Sequence, residues 1–209
     1  MEDRVAIFID GSNLYHALRA NFRRHDLNFA EFAKRLCGDR RLFRTYYYNV
    51  LQEPSQRTDG HREQQDFLKA LRETSYLEVR LGGTKLAQGV AVEKGIDVML
   101  ATDLLHFAWN NLYDVAVLVS GDADFSYAIQ AVKNMGKHVE VAYFENNVSK
   151  DLLDLADNRH LLNHDFFKGL WTSRSPFMQR KRTTMRRKKT TRAVPKETAE
   201  PGFKPPITL

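Results

Sequence analysis

A chain of 209 residues with 43% hydrophobic side chains is long enough for one ordinary domain plus an extension, and no apolar run approaches the roughly 18–20 residues needed to cross a bilayer. The single cysteine, Cys37, excludes an internal disulfide, and the N-terminus lacks the basic region, apolar stretch and small-residue cleavage site of a secretory signal, so a soluble, cytoplasmic protein is expected. The net charge of +6 is unevenly held: from Arg174 onward there are eleven Lys or Arg and two Asp or Glu, whereas residues 1–173 carry 21 basic and 24 acidic side chains.

In chain order, VAIFI at 5–9 is a continuous apolar run, the pattern of a strand covered on both faces. Leu14, Leu18 and Phe22 then recur at helical spacing, with Tyr15 beside them. Asn28 followed by Glu31 reads as a capping box, and Phe29, Phe32, Ala33 and Leu36 line a helix that stops near Gly38. A strand is expected over Phe43–Leu51, where the tyrosines of TYYYNV suit packing between sheet and helix better than base stacking. The stretch 60–74 predicts a helix with Phe67, Leu68 and Leu71 inward, and YLEVRL at 76–81 alternates like a strand. Residues 82–90, GGTKLAQGV, read as a glycine-rich loop, and 93–109 as a long helix with Ile96, Leu100, Leu104 and Phe107 inward. A strand at 115–119 precedes a helix over 124–135 closed by Gly136; a strand at 139–144 precedes a helix from Ser149 through Ala156, and RHLLNHDFF ends the ordered part. Cys37 reads as a small core residue, and Asp103 as a helix-face charge.

Strands that alternate with helices predict an α/β fold, a parallel sheet sandwiched between helices. Ligands in such sheets bind beyond the carboxyl ends of the strands. The first strand runs into Asp10, and VLVSGDADF carries a later one into Asp122 and Asp124. Asp97 falls in the first turn of the long helix, which faces the same sheet edge. Gathered carboxylates repel one another and drive up their own proton affinity. A divalent cation relieves that, and hard oxygen ligands suit Mg²⁺ or Mn²⁺, one ion or two, whereas no His/Cys set suits zinc. Two metals roughly 3.5–4 Å apart can stabilise the attacking and departing oxygens of a phosphodiester displacement.

Around these acids, Asn13 is placed to orient a water or a carboxylate, Ser120 to bond a ligand or a neighbouring aspartate, and Lys94 to meet a substrate phosphate. Each has a plainer reading. Asp124 equally suits a helix cap, Asp10 an Asx turn and Asp97 an acid favoured by the helix dipole. His160 and His164 share a helical spacing but lack a third ligand.

The ordered trio FIDGSNL, EKGIDVMLATDLL and VLVSGDADF resembles the NYN domain family, of the LabA and DUF88 type within the PIN-like nuclease group, over roughly residues 4–165. The resemblance implies a three-layer α/β/α sandwich with a central, mainly parallel sheet, and a metal-dependent endoribonuclease whose shared acids fall on Asp10, Asp97, Asp122 and Asp124, with Asn13 in the same motif. It implies hydrolysis of RNA, single-stranded by expectation, to a 5′-phosphate and a 3′-hydroxyl, and also self-association as a homodimer. An RNA-binding or scaffolding protein with little activity is the alternative. A haloacid-dehalogenase-like phosphatase is disfavoured, because Ser12 stands where a second aspartate is required, and a dinucleotide-binding enzyme because no G-x-G-x-x-G turn follows the first strand.

Residues 1–173 are thus expected to form the domain and 174–209 a disordered basic tail. RKRTTMRRKKTTR at 180–192, with Arg180, Lys181, Arg182, Arg186 and Arg187, suits sequence-blind contact with RNA phosphates. Such a tail would raise the local concentration of RNA at the acidic site; a merely solubilising role suits it too.

Overall fold

The computed structural model describes the backbone of residues 2–50, 58–87 and 90–172, and their side chains except those of 58–63, 84–87 and 90–94. Along the chain run β1 (Arg4–Asp10), α1 (Gly11–Phe22), α2 (Phe29–Cys37), β2 (Arg41–Val50), α3 (Thr58–Arg72), β3 (Leu77–Ala87) and β4 (Val90–Lys94). Then follow α4 (Ile96–Trp109), β5 (Val115–Val119), a 3₁₀ turn (Ala123–Phe125), α5 (Ser126–Asn134), β6 (His138–Tyr143), α6 (Lys150–Leu155) and β7 (Asn158–Leu161).

The strands form one sheet in the order β4-β3-β2-β1-β5-β6-β7. Six are parallel, and β4 alone is antiparallel, paired with β3. The alternation of side chains along β1 explains the three layers. Val5, Ile7 and Ile9 face a core built with α1, α2, α3 and the segment after β7. Ala6 and Phe8 face the opposite core, built with α4, α5 and α6. Both faces are covered, which is why β1 and β5 read as unbroken apolar runs. No helix among the described residues is long and apolar enough to cross a membrane.

Within the expected glycine-rich loop over 82–90, the described residues 82–87 and 90 are instead paired strand. Gly82 pairs with Val50, and Gly83 through Ala87 pair with Lys94 back to Val90. Glycine weakens a strand without forbidding it, and pairing from β2 and β4 holds the backbone extended. The helix expected from Glu93 accordingly starts at Ile96. The capping box at Asn28 is half formed: its side chain accepts from the Glu31 N–H, but its own N–H donates to the Leu170 carbonyl. Ser149 occupies the N-cap position of α6 without a side-chain cap bond. Cys37 is buried, and its thiol donates to the Arg40 carbonyl oxygen at 3.0 Å.

Asp103 is not a free helix-face charge. It accepts the Tyr48 hydroxyl at 2.9 Å and pairs with Arg80 at 3.4 Å, fastening α4 to the sheet. His160 and His164 are not a pair on a helix either: His160 lies on β7 against Glu140, and the His164 ring meets Phe22.

Glu140, 7% exposed on β6, meets Arg40 at 2.8 and 3.0 Å and His160 at 2.8 Å. Burial alone pushes its carboxyl up, but the bonds from His160 and Arg40 outweigh it and bring the pKa from 4.5 down to about 2. A lowered folded pKa means stability that is complete above 4.5 and lost as pH falls through about 2. Glu140→Gln is therefore expected to cost roughly 3 kcal/mol near neutral pH. The gap in urea midpoint between parent and variant should close as the solution is acidified.

Candidate carboxylate site

β1 and β5 are parallel neighbours, with Ile9 opposite Val119. On one side of this pair the chain continues to β2 and β3, and on the other to β6 and β7. The carboxyl ends of β1 and β5 therefore bound the crevice where strand order reverses, the usual ligand position in an open α/β sheet. Asp10 and Ser120 are the next residues out from that register.

Asp10 is 5% exposed and caps α1: one carboxylate oxygen accepts the Asn13 N–H at 3.0 Å, and the other accepts the Ser120 hydroxyl at 3.2 Å. The Ser120 oxygen in turn accepts the Asp122 N–H at 3.2 Å, and the Asp122 side chain accepts the Asp124 N–H at 3.0 Å. A chain of hydrogen bonds thus runs from the second acidic turn into the first. From the third side, Gly95 opens α4 in a left-handed conformation (φ 83°) with no side-chain cap, so the first backbone N–H groups of α4 are not claimed by a cap.

Asp10, Ser12, Asn13, His16, Gly95, Ile96, Asp97 and Asp122 line one cleft of about 220 Å³. Burial raises the Asp10 carboxyl above its ordinary 3.8, the bonds from Asn13 and Ser120 oppose this, and the charges of Asp97 and Asp122 add to it. Partial loss of water, then the charges of Asp122 and Asp124, raise Asp97 likewise.

One cleft holds Asp10, Asn13, Asp97 and Asp122 together. Ser120 lies behind Asp10, buried and bonded to it, rather than in the cleft. Asp124 is exposed on the 3₁₀ turn and outside the cleft lining, though its charge acts on Asp97. Tyr46, Tyr47 and Tyr48 are all buried, which removes them as stacking surfaces. Lys94 lies on β4 with its side chain outside the described residues, and Arg180, Lys181, Arg182, Arg186 and Arg187 lie outside them altogether. His16 was missed; its only signal is a position one helical turn beyond Asn13.

Among the described residues no three His, Cys, Asp or Glu side chains are set to hold a metal ion as a group. The donor chemistry nonetheless fits a hard cation, since Asp10 and Asp97 are each raised partly by the charges of neighbouring carboxylates, and Mg²⁺ is held by one or two carboxylates with waters filling the rest.

Residues 4–163 match the profile of the NYN domain. The low amplitude and bright protein LabA of Synechococcus elongatus is 29% identical over 173 residues, covering 77% of this chain and 84% of that one. A protein of unknown function from Vibrio parahaemolyticus, solved as a crystal structure, is similar at a TM-score of 0.66 with 26% identity, over 79% of this chain and 96% of that one.

Proposed function

This chain belongs to the NYN domain family, and from that premise we propose that it is a metal-dependent ribonuclease that hydrolyses RNA phosphodiester bonds at the carboxylate cleft. The observation that carries the reading is the meeting of Asp10, Asp97 and Asp122, from three separate regions, in one cleft at the switch point of the sheet. Asp10, Asp97 and Asp122 would hold Mg²⁺ or Mn²⁺, with Asp124 adding negative charge at the rim. A bound ion of this kind supplies Lewis-acid stabilisation of phosphate oxygens and an acidified water.

The protein's own groups supply the rest. Ser120 and the Asn13 N–H fix the Asp10 carboxylate in one orientation. The Asn13 side-chain oxygen accepts from Asn147 at 3.3 Å, which directs its amide. The uncapped start of α4 offers N–H donors to a phosphate oxygen. His16, exposed in the cleft wall, would serve as a general acid or base toward a leaving oxygen. Residues 174–209 would act as the basic tail that retains RNA near the cleft.

Cleavage of a single-stranded RNA by the full chain in Mn²⁺, set beside Asp97→Asn and Asp122→Asn, tests this. Each variant is expected to lose on the order of 100-fold in rate while unfolding no lower than the parent. Folded variants that cut as fast as the parent would end the assignment. A scaffold that binds RNA without cutting it is the second reading; the lack of a closed three-ligand set among the described residues favours it. Binding without metal-dependent cleavage by the parent would establish it.

A further inference from the structure

The buried face of α1 is Leu14, Ala17 and Leu18. Its outer face carries Tyr15, His16 and Arg19, and the C-cap Arg23 continues the row. Positions 15 and 19 are four apart and 16 stands three before 19, so these three share one face of the helix, and the exposed Arg23 follows as its left-handed C-cap. The stripe begins in the cleft, where His16 is part of the wall. The Tyr15 ring packs edge-on against His16 at 5.5 Å and tilted against His25, also at 5.5 Å, and 42% of Tyr15 stays in solvent. Arg19 and Arg23 are exposed and have no ion pair or side-chain hydrogen bond among the described residues. From His16 to Arg23 the helix rises about 10 Å.

Three exposed rings, with His16 and His25 each packed on Tyr15, and two uncommitted guanidinium groups lead away from a carboxylate cleft, on a part of the chain whose net charge is negative. Rings offer faces to unstacked bases, and arginines offer charge to the backbone between them. Duplex RNA keeps its bases stacked inside and cannot use the rings. We propose that Tyr15, His16, Arg19, Arg23 and His25 form a track that binds single-stranded RNA, stacking bases on the rings and pairing phosphates with the arginines, and so delivers the strand to the cleft. This rests on the ribonuclease reading for its direction but not for its binding chemistry.

The test uses the full chain, with EDTA to prevent cleavage, and a single-stranded RNA carrying a fluorescent purine analogue whose emission falls on stacking. Tyr15→Ala is expected to weaken binding roughly 5- to 100-fold and to restore emission, while Tyr15→Trp retains both. Arg19→Ala with Arg23→Ala should weaken binding to every sequence and flatten the salt dependence by roughly 0.7 per lost phosphate contact. Trp109→Ala removes an exposed aromatic at the far end of α4 and should change nothing. Tyr15→Ala with unchanged affinity and quenching overturns the track, as does equal loss of duplex binding in that variant. Metal-dependent cleavage indifferent to Tyr15, Arg19 and Arg23 would leave the nuclease and remove the track. A Tyr15-dependent complex never cut in Mn²⁺ would do the reverse.

Discussion

Asp10→Asn is expected to fold at least as firmly as the parent and to cleave RNA on the order of a thousandfold more slowly. Asn is as good an N-cap as Asp, so its side-chain oxygen can still accept the Asn13 N–H. The new amide donates to Ser120, whose hydroxyl is free to turn and accept. What disappears is the charge, and in the folded protein that charge is held against burial and against Asp97 and Asp122. The sign follows from linkage. The folded carboxyl binds its proton more tightly than the unfolded one, so its contribution to stability is complete below 3.8 and is lost as pH rises through the higher folded value. The variant lacks that decline, and thermal unfolding in EDTA across this range should show the two curves separating in its favour as pH rises. Mn²⁺ should reverse the order. At a hundredfold excess over its Kd a bound ion adds about 2.7 kcal/mol to the parent, and the variant should gain much less. A variant stabilised by Mn²⁺ as much as the parent would reduce Asp10 to a cap.

Gly121→Ala should be the most disruptive small substitution near the site. A Cβ on Gly121 would stand 1.6 Å from the Asn147 carbonyl oxygen, 2.7 Å from its carbon and 3.0 Å from the Val148 Cα. All three are backbone atoms, so no side chain can swing aside, and the Ser149 N–H to Gly121 carbonyl bond of 2.9 Å lies in the same contact. Either the turn after β5 or the loop after β6 must move by more than an ångström, and Asp122 is the next residue. Overpacking of this kind costs about 1–3 kcal/mol, and displacement of a reacting group by about 1 Å can cost 100-fold in rate. Lower Tm together with a larger fall in kcat than in affinity for RNA is the expected pattern. Parental Tm and rate would mean that turn and loop part without resistance. Gly11 beside Asp10 is similarly confined, with a Cβ 2.4 Å from the Tyr47 ring and 2.6 Å from the Tyr48 carbonyl. The glycines of both acidic motifs thus permit close approach of chain to chain, and neither has a positive φ.

What the sequence disclosed follows from which forces act locally. β1 and β5 were legible because burial on both faces writes an unbroken apolar run, and Asp10 and Asp122 because a charge ending such a run must lie at the sheet edge. Asp97 was legible from its place in a helical turn, even though the helix starts three residues later than its periodicity implied. The pairing of β3 with β4 was hidden, since Gly82 and Gly83 carry a turn signal that only strand pairing overrides. Asp103 was misread because its partner, Tyr48, is 55 residues away and leaves no trace on the helix itself. Asp124 and Ser120 show the limit within the site. Spacing put them near the edge, but whether a side chain enters the cleft, supports another or turns outward depends on the 3₁₀ turn, which no periodicity announces.

The sheet order has a consequence for synthesis. β1, made before the other six strands of this sheet, ends as the central one, and its contact with the acidic turn joins Ser120 to Asp10 across 110 positions. Pairings this distant form late and slowly. A nascent chain leaving the ribosome therefore displays Asp10 long before Asp122 exists to face it. Translation takes place amid ribosomal and messenger RNA, and the growing polypeptide carries no finished cleft through most of that exposure.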